Sequence, residues 1–300
     1  MEWFAKLILL PVHLICMNVA AAGPLVCIWL DGKSSRSDAA ATAQQYLARW
    51  AWRLILVGAV SGLALGWLAW DAEYAAQLRR FSARITWGLA EFVFSAAILG
   101  SYAVWVTAQP RPGSATRWCR AILALAAATN LLYHFPPLFT LIANAAAKNA
   151  DSSPVDSATF RRLLVSAEVL AMTTHFLLAS LAVTGMTLMT LALRRGTDAA
   201  HGQRVAGWGS SLALAATALQ FPSGLWLMLS LPAQKQQRLL GHDGIATSLF
   251  GVSVLVAFWL LHALAAVALG ESTAKRIGQA LGGMLVVIVC MCAVLQRLNS

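Results

Sequence analysis

Five ionisable side chains stand inside long apolar stretches of this sequence: His13, Glu91, His134, His175 and His262. Placing such a group in a hydrocarbon environment costs a few kcal/mol or more, so each one marks a candidate site. His13 lies about seven residues, or about 10 Å, into the first apolar stretch. Glu91 lies at about the same depth in the third, which enters from the same side. An imidazole and a carboxylate at one level can serve as axial ligands of a buried iron cofactor, or can simply bond to each other. His134 and His175 stand nearer the middle of the fourth and fifth stretches, where a pair of imidazoles can clamp a low-spin heme between helices. The alternative for each is donation to a backbone carbonyl or a Ser/Thr hydroxyl. His262 falls late in the seventh stretch, towards the opposite face. Glu168 is a sixth such group, close to a helix end.

The elements that must position these groups are membrane-spanning helices. Of the 300 residues 59% are hydrophobic and only 11% charged, and the mean hydropathy is +0.68. Soluble domains carry about 25% charged residues, so a soluble enzyme, a disordered chain and a nucleic-acid-binding domain are all excluded. Segments of about ten alternating residues, the mark of a membrane β-barrel, are missing. Apolar runs of spanning length lie near 7–30, 52–70, 85–108, 121–146, 163–193, 206–231, 246–269 and 277–296. The fold expected is all-α: a polytopic bundle of about eight helices over residues 1–300, one integral membrane domain without an extramembrane domain or cleaved leader.

Breaks fall where helices stop or charge gathers: residues 31–36, 109–113 and 148–154. Prolines at 136 and 137, directly after His134, and Pro222 in the sixth span predict two further helix breaks. Gly58, Gly62 and Gly66 form a stripe that lets another helix, or a flat macrocycle, approach closely. Most of the twelve Trp sit near span ends as an interfacial belt. The five cysteines form no CxxCH or CxxC pattern, which excludes covalently attached c-type heme. The net charge of +10 reflects topology and lipid contact. The odd-numbered loops hold 12 of the 22 basic residues, which favours both termini on the periplasmic side of a bacterial inner membrane.

In their order these anchors resemble the heme-bearing large subunit, subunit I, of cytochrome bd-type quinol oxidases. The likeness rests on Pro11-Val12-His13-Leu14, on Val57-Gly58-Ala59-Val60-Ser61-Gly62 and on Leu89-Ala90-Glu91-Phe92-Val93-Phe94. It continues with Thr129-Asn130-Leu131 and with His175 followed by the small-residue run 179–186, and covers about residues 7–250. The resemblance implies that His13 is an axial ligand of a high-spin heme with Glu91 beside it. It implies that His175 ligates a low-spin heme fed by quinol, and that Asn130 lies on a polar path. It places quinol docking in the loop 232–243, where Lys235, His242 and Asp243 would meet the substrate and take up its protons.

The sequence departs from that family at three points. Leu99 stands where the family has a second acid, 250–255 contains no Met to complete the low-spin site, and 277–296 contains no acid. His134 or His262 would then have to supply the missing ligand, and bis-His ligation lowers the potential relative to His/Met. The resemblance implies one or two b-type hemes, with a d-type or other high-spin heme as an option, and quinone or quinol as substrate. The function it implies is an electron-transfer subunit of a quinol-linked respiratory complex, alongside a second polytopic membrane subunit and further subunits. The alternatives are a short quinol:oxygen oxidoreductase and a heme-free scaffold subunit.

Overall fold

The computed structural model describes residues 2–34, 37–146, 153–195 and 200–299. The expected breaks at Ser35-Arg36 and at 148–152 lie outside the described residues. Eight helical segments are long and apolar enough to cross a membrane, and no strand occurs among the described residues. The spanning helices are α1 (Glu2–Ser34), α2 (Asp38–Leu68), α4 (Ser82–Ala108), α5 with α6 (Ser114–Tyr133 and Phe135–Ala146), α8 (Ala167–Arg195), α9 (Ala200–Ser230), α11 (Gly244–Ala268) and α12 (Ala274–Asn299). Three short helices link them at one end: α3 (Ala72–Arg80), α7 (Ser157–Leu164) and α10 (Ala233–Gln237), the last followed by a π turn over Arg238–His242. Helices α1/α2, α8/α9 and α11/α12 pair as hairpins, and α1 also packs on α8 and α5.

The two halves of the bundle are packed differently. At the end holding the α1–α2, α4–α5, α8–α9 and α11–α12 turns, small residues bring backbones together. Ala39, Ala40, Ala43 and Leu47 of α2 are buried against Cys27 and Leu30 of α1, and Ala182, Ala192, Ala206 and Ala213 close the α8/α9 seam. A Cβ added to Gly185 would lie 2.5 Å from the carbonyl oxygen of Gly209 and 2.9 Å from the amide nitrogen of Ala213. Both neighbours are backbone, so only glycine permits this crossing.

This dense half also contains a buried charge pair. The guanidinium of Arg120 (α5) is fully buried and lies 3.4 Å from the carboxylate of Asp31. It donates to the carbonyls of Trp105 (3.1 Å) and Gln109 (2.7 Å) and stacks over the Trp105 ring. Asp31 belongs to α1, which extends to Ser34, so it is a buried helical residue and not the loop residue the sequence suggested. Gln44 (α2) likewise donates to the Tyr102 hydroxyl (α4, 3.1 Å) and to the Cys27 carbonyl (α1, 3.4 Å).

The other half is looser. Residues 172–179 of α8 are half-buried on every side, whereas most of 180–192 is buried. The same change occurs along α1, α2, α4 and α9. The Pro136-Pro137 break is real: α5 ends at Tyr133, His134 is the joint, and α6 begins at Phe135. The second expected break does not occur, because α9 runs unbroken through Pro222. One proline there removes only the amide bond to Ala218, and the helix on either side is long enough to hold its course.

Two expected outcomes follow from these contacts. Gly185→Ala should lower stability by about 1–3 kcal/mol through forced separation of α8 and α9, read as a fall in Tm of the detergent-purified chain. Gly66→Ala, with nothing within 4 Å of the added carbon, should leave Tm unchanged or slightly raised. Asp243 caps α11, accepting from the amides of Ile245 and Ala246 at 3.1 Å each, and pairs with Arg297 at 3.0 Å. The cap and the arginine hold its carboxyl below the usual carboxylate range. Its contribution is therefore complete above the unfolded value of about 3.9 and fades as pH falls through the lower folded value. Asp243→Ala should lower stability at neutral pH through loss of the α11 cap, and the loss relative to wild type should shrink in acid unfolding curves below about pH 4.

Candidate functional site

Four of the five intramembrane ionisable residues lie in the open half. His13 sits on α1 in the same half as the Gly stripe of α2. Its Nδ1 donates to the Gly58 carbonyl at 2.8 Å, and a Cβ on Gly62 would come within 2.8 Å of its Cε1. Gly58 itself accommodates Met17 and Cys16, while Gly66 faces open space. The stripe therefore acts as a seat for the Nδ1–Cε1 edge of the His13 ring against α2. With the proton fixed on Nδ1 by a carbonyl, Nε2 carries the lone pair and has no protein partner among the described residues.

His175 on α8 repeats the arrangement. Its Nδ1 lies 3.3 Å from the Ser223 hydroxyl, and that hydroxyl donates to the Gln220 carbonyl. The serine proton is thus committed, so Ser223 Oγ accepts from His175 Nδ1, again leaving Nε2 with the lone pair. A Cβ added to Gly224 would lie 3.5 Å from the imidazole, an ordinary contact, so the ring sits beside this part of α9. The Pro222 segment of α9 is thereby the platform that orients His175.

His134 is different. Its Nδ1 lies 2.8 Å from the Glu91 carboxylate and its Nε2 lies 3.1 Å from the Arg84 carbonyl. Both ring nitrogens therefore face oxygen atoms, a carboxylate on one side and a backbone carbonyl on the other. Gly88 lets the ring lie against α4, where an added Cβ would be 2.9 Å from Nε2. Of the two uses weighed for Glu91, ligation or a hydrogen-bonded pair, the structure has the pair, and with His134 instead of His13. Asn130 is one turn before His134, its carbonyl accepting the His134 amide.

The remaining candidates are dispersed. His262 is exposed in the dense half, away from the other three histidines. Glu168 is in the first turn of α8, where the helix dipole favours a carboxylate. His242 is exposed at the end of the π turn, and Lys235 donates to the Asn299 side chain at 2.7 Å. Asp243 is committed to capping α11 and pairing with Arg297, and its depressed pKa makes it a weak proton acceptor. The sequence reading missed the Arg120–Asp31 pair because both residues sit among polar residues near span ends, and hydropathy gives no sign that they meet.

Donor chemistry decides what could bind here. Among the described residues no three of His, Cys, Asp and Glu converge on a point, so a bare ion has no complete protein shell. A porphyrin brings four nitrogens of its own and needs only one or two protein ligands. His13 and His175, each with a secured Nδ1 and a lone pair on Nε2, fit that requirement. His134, with both nitrogens engaged, does not fit it in this arrangement.

A scan against protein-family models and a search of curated proteins give no match. Among solved structures the chain is similar to a chain of the bd oxidase from Geobacillus thermodenitrificans, with a TM-score of 0.76 and 14% sequence identity, over 99% of this chain and 85% of that one. At that identity the likeness is one of fold: this multi-pass membrane chain is an all-helical bundle with the fold of a bd oxidase chain, as its sequence anchors led one to expect.

Proposed function

We propose that this chain is a heme-binding electron-transfer subunit of a quinol-linked respiratory complex in the bacterial inner membrane. The observation that carries the proposal is the matched state of His13 and His175. In a half of the bundle that is loosely packed, each imidazole is oriented by an oxygen on Nδ1 and offers Nε2. Heme at either position would supply reversible one-electron chemistry. The chain's own contribution would be to fix the ring tautomers through Gly58 and Ser223, with the Glu91–His134 pair in the same half of the bundle. Since His262 lies in the dense half and His134 is engaged, neither would join His175 in holding a heme, and any further ligand would come from outside these residues. A second polytopic subunit is the natural source, and it would cover part of the open half. Quinol would dock against the π-turn loop, with Lys235 and the exposed imidazole of His242 as its polar contacts and Asp243 as a structural cap.

One observation favours a heme-free scaffold instead: Glu91 and His134 satisfy each other without any ligand. The visible spectrum of the full chain, purified in mild detergent, separates the two. A Soret band with α bands that appear on dithionite reduction is expected, and a featureless visible spectrum defeats the heme reading. His175→Ala should abolish one spectral component and His13→Ala the other. Gly62→Val, which presses on the His13 ring, should shift or broaden only the His13-linked component, while Gly66→Ala leaves both intact. Loss of neither component in the two histidine variants would overturn the assignment.

A further inference from the structure

The dense half carries a second candidate site, unrelated to the histidines. On α2, Thr42, Tyr46, Arg49, Trp50 and Arg53 follow helical spacing and face one groove, which the end of α8 closes with Arg194. The groove has a volume of about 210 Å3, many times the space of a single water. The Trp50 ring lies between two guanidiniums, Arg53 at 5.7 Å and Arg194 at 5.4 Å from its centroid, and Arg194 also covers Tyr46 at 5.9 Å. The Tyr46 hydroxyl is tied to Thr190 at 2.8 Å. Arg49 uses Nε on the Thr107 hydroxyl at 3.3 Å, which turns its terminal nitrogens outward.

Among the described residues these three cations have no carboxylate partner. The Asp and Glu ion pairs among the described residues involve Lys6, Arg111, Arg120, His134, Arg238, Arg276 and Arg297, and none involves Arg49, Arg53 or Arg194. Three like charges around one groove repel unless an anion lies among them. Guanidinium forks match the oxygens of a phosphate, and aromatic stacking holds them in place for it.

The depth of the groove points to the source of that phosphate. Thr107 is in the last turn of α4, Arg194 is at the end of α8, and the continuous apolar run of α2 begins after Arg53. All three meet where the hydrocarbon ends and lipid headgroups begin. We propose that Arg49, Arg53 and Arg194 form a binding site for a phosphate-bearing anion, the headgroup of an anionic phospholipid. Basic pockets between spanning helices bind such headgroups by this chemistry.

The test uses the full chain in detergent, with phosphatidylglycerol, phosphatidylcholine, or inorganic phosphate and pyrophosphate added separately. Thermal stability and native mass spectrometry are the readouts. Phosphatidylglycerol should raise Tm and be retained on the protein, and phosphatidylcholine should do neither. Arg49→Gln, Arg53→Gln and Arg194→Gln should each weaken retention about fivefold, Arg49→Lys less so, and Arg276→Gln, in the first turn of α12, not at all. If pyrophosphate or phosphate alone stabilises the chain and displaces phosphatidylglycerol, the site stands and its occupant is a soluble anion. Equal responses to both lipids with no response to phosphate would overturn the proposal. Retention that persists in the triple glutamine variant would overturn it as well. The lipid comparison on wild type stands alone if a variant fails to fold.

Discussion

A guanidinium taken out of water needs a counter-charge and acceptors, and Arg120 shows what that demand does to a helix bundle. One terminal nitrogen faces Asp31 of α1 and the other donates to two carbonyls at the end of α4, so three helices are held at one end by a single side chain, although its buried Nε has no partner among the described residues. Removing one partner of such a buried pair costs about 3–5 kcal/mol. Gln44 and Tyr102 extend the same clamp to α2. Backbone contact at Gly185 and Gly209 closes α8 on α9. Because the dense half is fixed by these contacts, the other half need not be filled to stay folded. Oriented imidazoles can stand there beside half-buried surface without the bundle collapsing onto them.

The open half then depends on how each histidine spends its first nitrogen. A ring with both nitrogens unpaired would be costly in the membrane and free to rotate. A ring with both nitrogens engaged, such as His134, has nothing left to offer. His13 and His175 take the middle course: each has one ring nitrogen on an oxygen of the neighbouring helix, the Gly58 carbonyl for His13 and the Ser223 hydroxyl for His175. Only His13 also needs a glycine there, because a Cβ on Gly62 would press on its ring whereas one on Gly224 would make ordinary contact with His175.

Number and rough extent of the spans were legible because they depend only on the length of apolar sequence. His13, His175 and the glycine stripe could also be singled out, since rare residue types stand out against an apolar background. What could not be read was rotation about each helix axis and the choice of partner. Depth suggested that Glu91 would meet His13, yet the helix order puts α5 beside α4, so Glu91 finds His134. Pro222 looked like a break, but a lone proline in a long helix gives up one hydrogen bond, whereas Pro136-Pro137 beside His134 gives up two in succession and the helix divides. Asp31 was assigned to a loop because it is charged. Its partner lies 89 residues away, and no local pattern reports a pairing of that range. The short helices α3 and α7 were invisible for a related reason: their faces are apolar only towards a small cluster around Phe81, Leu138 and Phe160 that exists once the chain has folded.

The uncompensated arginines bear on orientation as well. The side of the membrane that holds Arg49, Arg53 and Arg194 is also the side richer in basic residues by the loop count, 12 of 22. A bias of that size is weak if every cation counts equally, and Asp31 neutralises Arg120 outright. Cations gathered around a groove at headgroup level and left without acids keep their full charge, and charges near the span ends are those that govern topology. Anionic lipid is concentrated on the cytoplasmic face in many membranes, and its surface potential acts on such a cluster over about a Debye length. A headgroup site there and the excess of basic residues in the odd-numbered loops are then two aspects of one charge distribution.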